Sequence, residues 1–181
     1  YIVDEDGIDF PLIQQIKEKE RARISEYASR KPSAVYYQGS HGIWTLPCDV
    51  AIPCATQNEI NLDAAQQICR NRTIALLEGS NMSCSLDAVD FFNQEGILYV
   101  PAKAANAGGV AVSGLEMAQN ASRASWSYGH VDRKLQEIMQ YIFEQCFEAS
   151  QQYGAPGNLL LGANIAGFVK VAKAMQWQGV V

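Results

Sequence analysis

The side chains best placed to do chemistry in this chain are amides and short hydroxyls. Thr56, Gln57 and Asn58 form one cluster, Ser80 and Asn81 a second, and Asn106 with Ser113 a third. Groups of this kind rarely move a proton or attack an electrophile; they hold a polar ligand by donating and accepting hydrogen bonds. More reactive constellations are scarce. His41 and His130 are the only histidines and lie in unrelated contexts, so a Ser/His/Asp or Cys/His mechanism has little support. Glu116, one helical turn past Ser113, has the side chain of a general base, yet beside Gln119 and Asn120 it reads first as a hydrogen-bonding helix residue. The five cysteines, Cys48, Cys54, Cys69, Cys84 and Cys146, are odd in number and show no CxxC spacing, which points to neither a disulfide framework nor a zinc site. They read as small core residues, reduced as in a cytoplasmic protein.

The elements that must position the three amide clusters follow from hydrophobic patterning. Asp49–Pro53, Thr73–Leu77 and Ile97–Val100 are short apolar runs about 24 residues apart, with helical segments near Leu62–Asn71 and Leu86–Gln94 between them. Short continuous strands alternating with helices predict a parallel sheet covered on both faces, and right-handed crossovers put all three strand C-termini on one edge. Each strand is directly followed by a small, polar stretch, 54–58, 78–81 and 103–106, so the three are expected to line one crevice, where ligands bind in open α/β sheets. Asn58 or Asn61, and Ser83 or Ser85, also read as helix caps. The stretch from Pro101 to Asn120 reads as a strand exit, a turn at Gly108–Gly109 and a helix marked by Val112, Leu115, Ala118 and Gln119.

The flanking segments are less regular. Tyr1–Asp9 reads as the end of a strand and a turn, as if the chain entered from an earlier element. Asp9 is a predicted N-cap for a helix with Pro11 in its first turn and a stripe of Leu12, Ile13 and Ile16, running to about Arg23. Residues 29–44 show no sustained period apart from a short strand at Ala34–Tyr37. A long helix carries the stripe Val131, Leu135, Ile138, Met139, Ile142, Cys146 and Ala149, and Gly154–Gly157 ends it. A last helix, roughly Leu160–Gln176, is expected to bury Ile165, Phe168, Val169, Ala172 and Met175 and to turn Lys170 and Lys173 outward. At 181 residues, with 48% hydrophobic and 18% charged residues, the composition is that of a soluble globular protein. A net charge of −5 gives no footprint for nucleic acid, and no run is long enough to span a membrane. The phosphate-binding GxGxxG turn is absent, so a dinucleotide fold would here be represented by its second half.

Five motifs carry a family resemblance: CATQNE at 54–59, EGSNM at 78–82, KAANAGGV at 103–110, SGLEMAQN at 113–120 and GANIAGF at 162–168. In this order, and over nearly the whole chain, they resemble hexameric glutamate dehydrogenase of the microbial, NADP-linked type. The resemblance implies the second half of a doubly wound, Rossmann-like parallel coenzyme-binding sheet followed by closing helices. Residues 1–120 would be the later strands and helices of the dinucleotide domain, and residues 121–181 helices that pack on the sheet and bridge to an amino-terminal domain. It implies hydride transfer between NADP, or NAD, and an imine formed from 2-oxoglutarate and ammonia, giving L-glutamate.

By the same likeness Ala55, Thr56 and Gln57 lie along the coenzyme, Asn81 beside its ribose and nicotinamide, and Asn106 near the nicotinamide carboxamide. Ser113 binds the side-chain carboxylate of the substrate. No catalytic acid or base falls in this chain; the family's glycine-rich turn and its catalytic Lys and Asp belong to the amino-terminal part. Two departures stand out. Ser80 and Ser83 replace the family's usual Ala and Pro, and Ser127-Tyr128-Gly129-His130 lacks the usual capping box, which predicts a long helix that starts late or frays. A second reading, a non-catalytic nucleotide-binding or assembly module of the same ancestry, gives no reason to keep Ser113.

Overall fold

The computed structural model describes residues 1–179 and divides at Leu46 and Pro47 into two compact units. In the first unit, strand β1 (Ile2–Asp4) pairs antiparallel with β2 (Ala34–Tyr36), and helices α1 (Phe10–Gln14) and α2 (Ser25–Arg30) lie between them in sequence. Asp9 caps α1 as expected, its carboxylate accepting from the Leu12 N–H at 3.1 Å. The helix does not reach Arg23. It loosens into a π-helical turn over Gln15–Lys19, and Arg21 then takes a left-handed φ of 53°, which stops the run. Ile16, Tyr27 and Ala34 form the core against Ile2, Leu12 and Ile13. The Tyr27 hydroxyl donates to Asp4 Oδ2 at 2.7 Å and accepts from the Asp9 N–H at 2.8 Å, fastening β1 to both helices.

The second unit is built on a three-stranded parallel sheet in the order β3 (Val50–Ala51), β4 (Ala75–Leu77), β5 (Leu98–Val100). Helices α3 (Leu62–Arg70) and α4 (Leu86–Glu95) make the two crossovers. The expected parallel sheet is present. Register puts Ala51, Leu76 and Tyr99 on one face, and all three are buried there, Tyr99 stacking on Phe92 of α4 at 6.3 Å. On the opposite face only Ala75 is buried; Val50 and Leu98 are nearly half exposed. The sheet is thus fully covered on one side and partly bare on the other, where covering of both faces was expected.

The two strand–loop–helix repeats match in backbone detail. Asn58 and Met82 both turn left-handed, at φ 54° and 53°, and Ile60 and Cys84 then pair as a parallel bridge. Asn61 caps α3 by accepting from Ala64 N–H at 3.0 Å. After β5 the chain forms a short helix α5 (Ala102–Ala105), then α6 (Ala107–Ser122), α7 (Tyr128–Gln152) and α8 (Leu159–Gln178). Among the described residues no helix is long and apolar enough to cross a membrane.

Several expectations fail here for physical reasons. Gly108 and Gly109 do not make a turn; they lie in the first turn of α6 with helical backbone. A Cβ at Gly108 would make ordinary van der Waals contact with Leu135 Cδ1 at 3.4 Å and Met139 Sδ at 3.5 Å on α7, so neither a turn nor a close approach demands glycine there. The long helix starts at once at Tyr128, because Ser127 alone accepts from the His130 N–H at 3.3 Å; the absent Glu is not needed to nucleate it. On α8 only Leu159 and Gly162 are buried, while Phe168 and Met175 are exposed, so much of the predicted stripe faces outward in this chain. Cys84 and Cys146 are buried as expected, but Cys48 and Cys54 are exposed because the loops flanking β3 lie outside the core.

Candidate functional site

The loops that leave β4 and β5 converge on a cleft of about 580 Å³ lined by Gly79, Ser80, Asn81, Lys103, Asn106, Ala107 and Val110. Asn106 and Asn81 meet at its wall: Asn106 Nδ2 donates to Asn81 Oδ1 at 2.7 Å. Asn106 is the residue before α6, yet its side chain does not cap the helix, because its amide is turned to Asn81 instead. This pairing leaves one acceptor, Asn106 Oδ1, and the Asn81 amino group as free donor. A primary carboxamide presents the complementary set, one donor and one acceptor.

The loop after β3 adjoins this cleft without lining it. Ser80 Oγ donates to the Thr56 carbonyl at 3.2 Å, and Gln57 Nε2 lies 4.0 Å from Met82 Sδ. The N–H groups of Ala55 and Thr56 both donate to Glu59 Oε2, at 2.9 and 2.8 Å. A second carboxylate does the same for the other two loops. Glu78, only 4% exposed at the end of β4, accepts from the Cys84 N–H at 2.8 Å and from the Ala102 N–H at 2.9 Å. Burial, and then the carboxylate of Glu78, push the Cys84 thiol far up; burial and a hydrogen bond to Glu78 do the same to the Tyr99 phenol. These groups are therefore neutral at physiological pH and offer no nucleophile. Four of the strand-end N–H groups are thus occupied by internal anions, which leaves them unavailable for phosphate.

Ser113 lies one turn beyond Val110 on α6, exposed, with its hydroxyl donating to the Gly109 carbonyl at 3.2 Å. Of the sequence-predicted site residues, Asn81 and Asn106 are brought into contact, Ala55, Thr56 and Gln57 sit on the neighbouring loop, and Ser113 stands on the helix that rises from the cleft. Sequence reasoning missed Glu59 and Glu78 as organisers, though a carboxylate directly after the apolar Ala75-Leu76-Leu77 is a signal that it is buried and satisfied. Lys103, in the polar stretch expected to line the crevice, does line the cleft and is hydrogen-bonded to Asn164 of α8, whereas Val110, 74% exposed in the cleft, was missed. The Ser80 and Ser83 hydroxyls, 2.6 Å apart, belong to one network, with Ser83 fully buried and donating to the Pro53 carbonyl at 3.2 Å.

Comparison with known proteins gives a consistent result. The profile of the Glutamate/Leucine/Phenylalanine/Valine dehydrogenases matches residues 1–179. An NADP-specific glutamate dehydrogenase of Helicobacter pylori is 48% identical over 185 aligned residues, covering 99% of this chain and 41% of the relative. That of Escherichia coli is 47% identical, covering 99% of this chain and 40% of the relative. A solved structure of Plasmodium falciparum glutamate dehydrogenase 2 superposes with a TM-score of 0.94 at 44% identity, covering 99% of this chain and 40% of that one. The chain thus spans about two fifths of the length of the relatives it matches.

Proposed function

This chain belongs to the Glutamate/Leucine/Phenylalanine/Valine dehydrogenase family, and from that premise we propose that it forms the nicotinamide-facing part of the coenzyme site of an NADP-dependent glutamate dehydrogenase. The observation that carries the reading is the amide pair at the cleft. Asn106 Oδ1 and the Asn81 amino group match the donor and acceptor of the nicotinamide carboxamide, so the residues present fit the group. Two residues of opposite hydrogen-bonding character fix the ring's rotation, which decides the face from which hydride is exchanged. When bound, the coenzyme supplies or takes up that hydride.

The electrostatics favour this end of the coenzyme over its phosphates. With Glu59 and Glu78 holding the strand-end N–H groups, the edge suits a ring and ribose that carry no negative charge. The pyrophosphate needs the glycine-rich turn that this sequence lacks, a part for which the remaining length of the relatives leaves room. In the same reading Ala55, Thr56 and Gln57 border the coenzyme, and Ser113 turns its hydroxyl from Gly109 to the side-chain carboxylate of L-glutamate or 2-oxoglutarate. Residues 1–120 then act as the later part of the dinucleotide domain and residues 121–181 as its bridge to the domain that supplies acid and base. The partly bare sheet face and the exposed apolar side of α8 support a surface that is covered in a larger assembly, which in this reading is a cytoplasmic homohexamer.

The test is Ser113→Ala in a subunit of the relatives' full length. A hydrogen bond to a charged group is worth about 1.5–3 kcal/mol, so kcat/KM for glutamate falls roughly 10- to 150-fold while the coenzyme KM stays put. Turnover of 2-oxoglutarate and ammonia with NADPH and NADH in parallel checks the coenzyme. An unchanged glutamate KM and kcat/KM would remove Ser113 from the site, and a preference for NADH would overturn the NADP assignment.

A further inference from the structure

We propose that Glu78 is the positioning residue of the amide pair: its buried carboxylate spans the two loops that carry Asn81 and Asn106 and sets the distance between them. Each arm of the carboxylate holds the root of one loop. Oε1 takes the N–H of Cys84, three residues past Asn81, and Oε2 takes the N–H of Ala102, four residues before Asn106. The backbone of Glu78 is fixed as well, its N–H donating to the Val100 carbonyl at 3.1 Å across the β4–β5 ladder. The carboxylate therefore sits on a fixed strand end and reaches the roots of both loops.

A carboxylate is a costly choice for this place. At 4% exposure it must be stripped of water, and only good hydrogen bonds to the charged form offset that. Its two short N–H bonds are of the charge-assisted kind, shorter and stiffer than neutral ones. The neighbouring protic groups support the same picture, since Tyr99 and Cys84 both stay protonated beside it and remain donors. A neutral side chain would tie one loop; only two oxygens on one carbon tie both at a fixed separation.

The proposal rests on the coenzyme reading only for its kinetic arm. Glu78→Gln is isosteric and leaves no cavity, but it sets an amino group against one of the two N–H donors, so one arm lets go. In crystals of the full-length subunit bearing E78Q, Asn106 Nδ2 and Asn81 Oδ1 are expected to separate beyond hydrogen-bonding distance, about 3.5 Å. With the amides out of register, kcat/KM for NADPH drops roughly ten- to a hundredfold while the KM for glutamate is unmoved. Ala102→Pro provides a second variant should E78Q fail to fold. It deletes one N–H donor at the first position of α5, where proline fits and where Pro101 already has ψ 152°, and it too is expected to open the pair. An amide pair still closed in either folded variant overturns the proposal. A pair that opens without change in NADPH kinetics upholds the positioning role and sinks the coenzyme reading instead.

Discussion

Asn106 donates to Asn81 across 2.7 Å, joining two loops whose residues stand 25 apart in sequence. The pair is local in space because β4 and β5 are adjacent parallel strands in register, with Leu77 opposite Val100, so their exits leave the sheet side by side. Two side chains that satisfy each other's inner groups act as one unit, and their outer groups are aimed by the bond between them.

That unit predicts non-additivity. In the full-length subunit, Asn81→Ala and Asn106→Ala each lower kcat/KM with NADPH, and the double variant costs less than the sum, with a coupling of about 0.5–1.5 kcal/mol. Stability is expected to change little, as both residues sit at the cleft and outside the core. A double-mutant cycle in steady-state kinetics checks this, and strict additivity would mean that the two amides work independently.

The parallel sheet was legible because three continuous apolar runs at even spacing leave few alternatives to parallel strands with helical crossovers. The amide clusters were legible because they follow strands, and any residue at a strand C-terminus is carried to one edge. Glu78 escaped as an organiser because its role depends on two backbone donors, at Cys84 and Ala102, that no pattern of residue types encodes. Gly108 was misread for a related reason. Glycine occurs in turns and inside helices alike, and only the backbone of Gly108, which stays helical within α6, decides between them. The exposed Phe168 of α8 shows a third limit: an apolar stripe marks a face that is to be covered, without saying by what.

Helix packing gives the sharpest stability prediction. A Cβ added at Gly162 of α8 would fall 1.9 Å from the Cys146 carbonyl oxygen of α7 and 3.2 Å from Ser150 Cβ. Backbone atoms cannot swing aside, so Gly162→Ala forces the two helices apart. Overpacking of this kind costs about 3 kcal/mol, equivalent to a loss of roughly 6–12 °C in Tm for a chain of this size. Gly167→Ala, where nothing lies within 4 Å, is the control and is expected to leave Tm unchanged or slightly raised. Calorimetry on both variants distinguishes a tight helix contact from a general intolerance of substitution on α8.

The first unit is predicted to be acid-sensitive through Glu20. Arg30 clamps it with two bonds of 2.9 and 2.7 Å, and these, with a bond from Gln15, lower its carboxyl from an ordinary 4.5 to about 2. A folded-state value below the unfolded one means stability that is present in full above pH 4.5 and is lost as pH falls toward 2. Asp4 moves the same way, held down first by the Ser33 hydroxyl and then by Tyr27. The Glu20 pair is partly exposed, so salt weakens the effect. Amide hydrogen exchange over residues 10–36 is expected to quicken as pH drops through that window, after correction for the intrinsic rate, and Glu20→Gln is expected to flatten the dependence. An identical profile in the variant would assign the acid response elsewhere.

The 181-residue chain, expressed as it stands, is expected not to turn over glutamate and to bind NADPH weakly. The cleft offers the amide pair for the nicotinamide, but phosphate recognition needs free backbone N–H groups at a helix N-terminus, and the strand-end N–H groups here are taken by Glu59 and Glu78. The same chain is expected to self-associate. It exposes 12233 Å², whereas a compact protein of 19.9 kDa exposes about 8,700 Å², and even two separate bodies of that combined mass about 10,000 Å². The surplus includes large apolar side chains on α8, with Phe168 72% and Trp177 88% exposed, and Val50 on the outermost strand β3. Aromatic rings and a strand edge left open favour contact with a second chain. Calorimetric titration with NADPH, run beside size-exclusion chromatography over a concentration series, addresses both halves. Micromolar binding by a clean monomer would show that these residues complete a nucleotide site on their own and that the exposed face of α8 needs no cover.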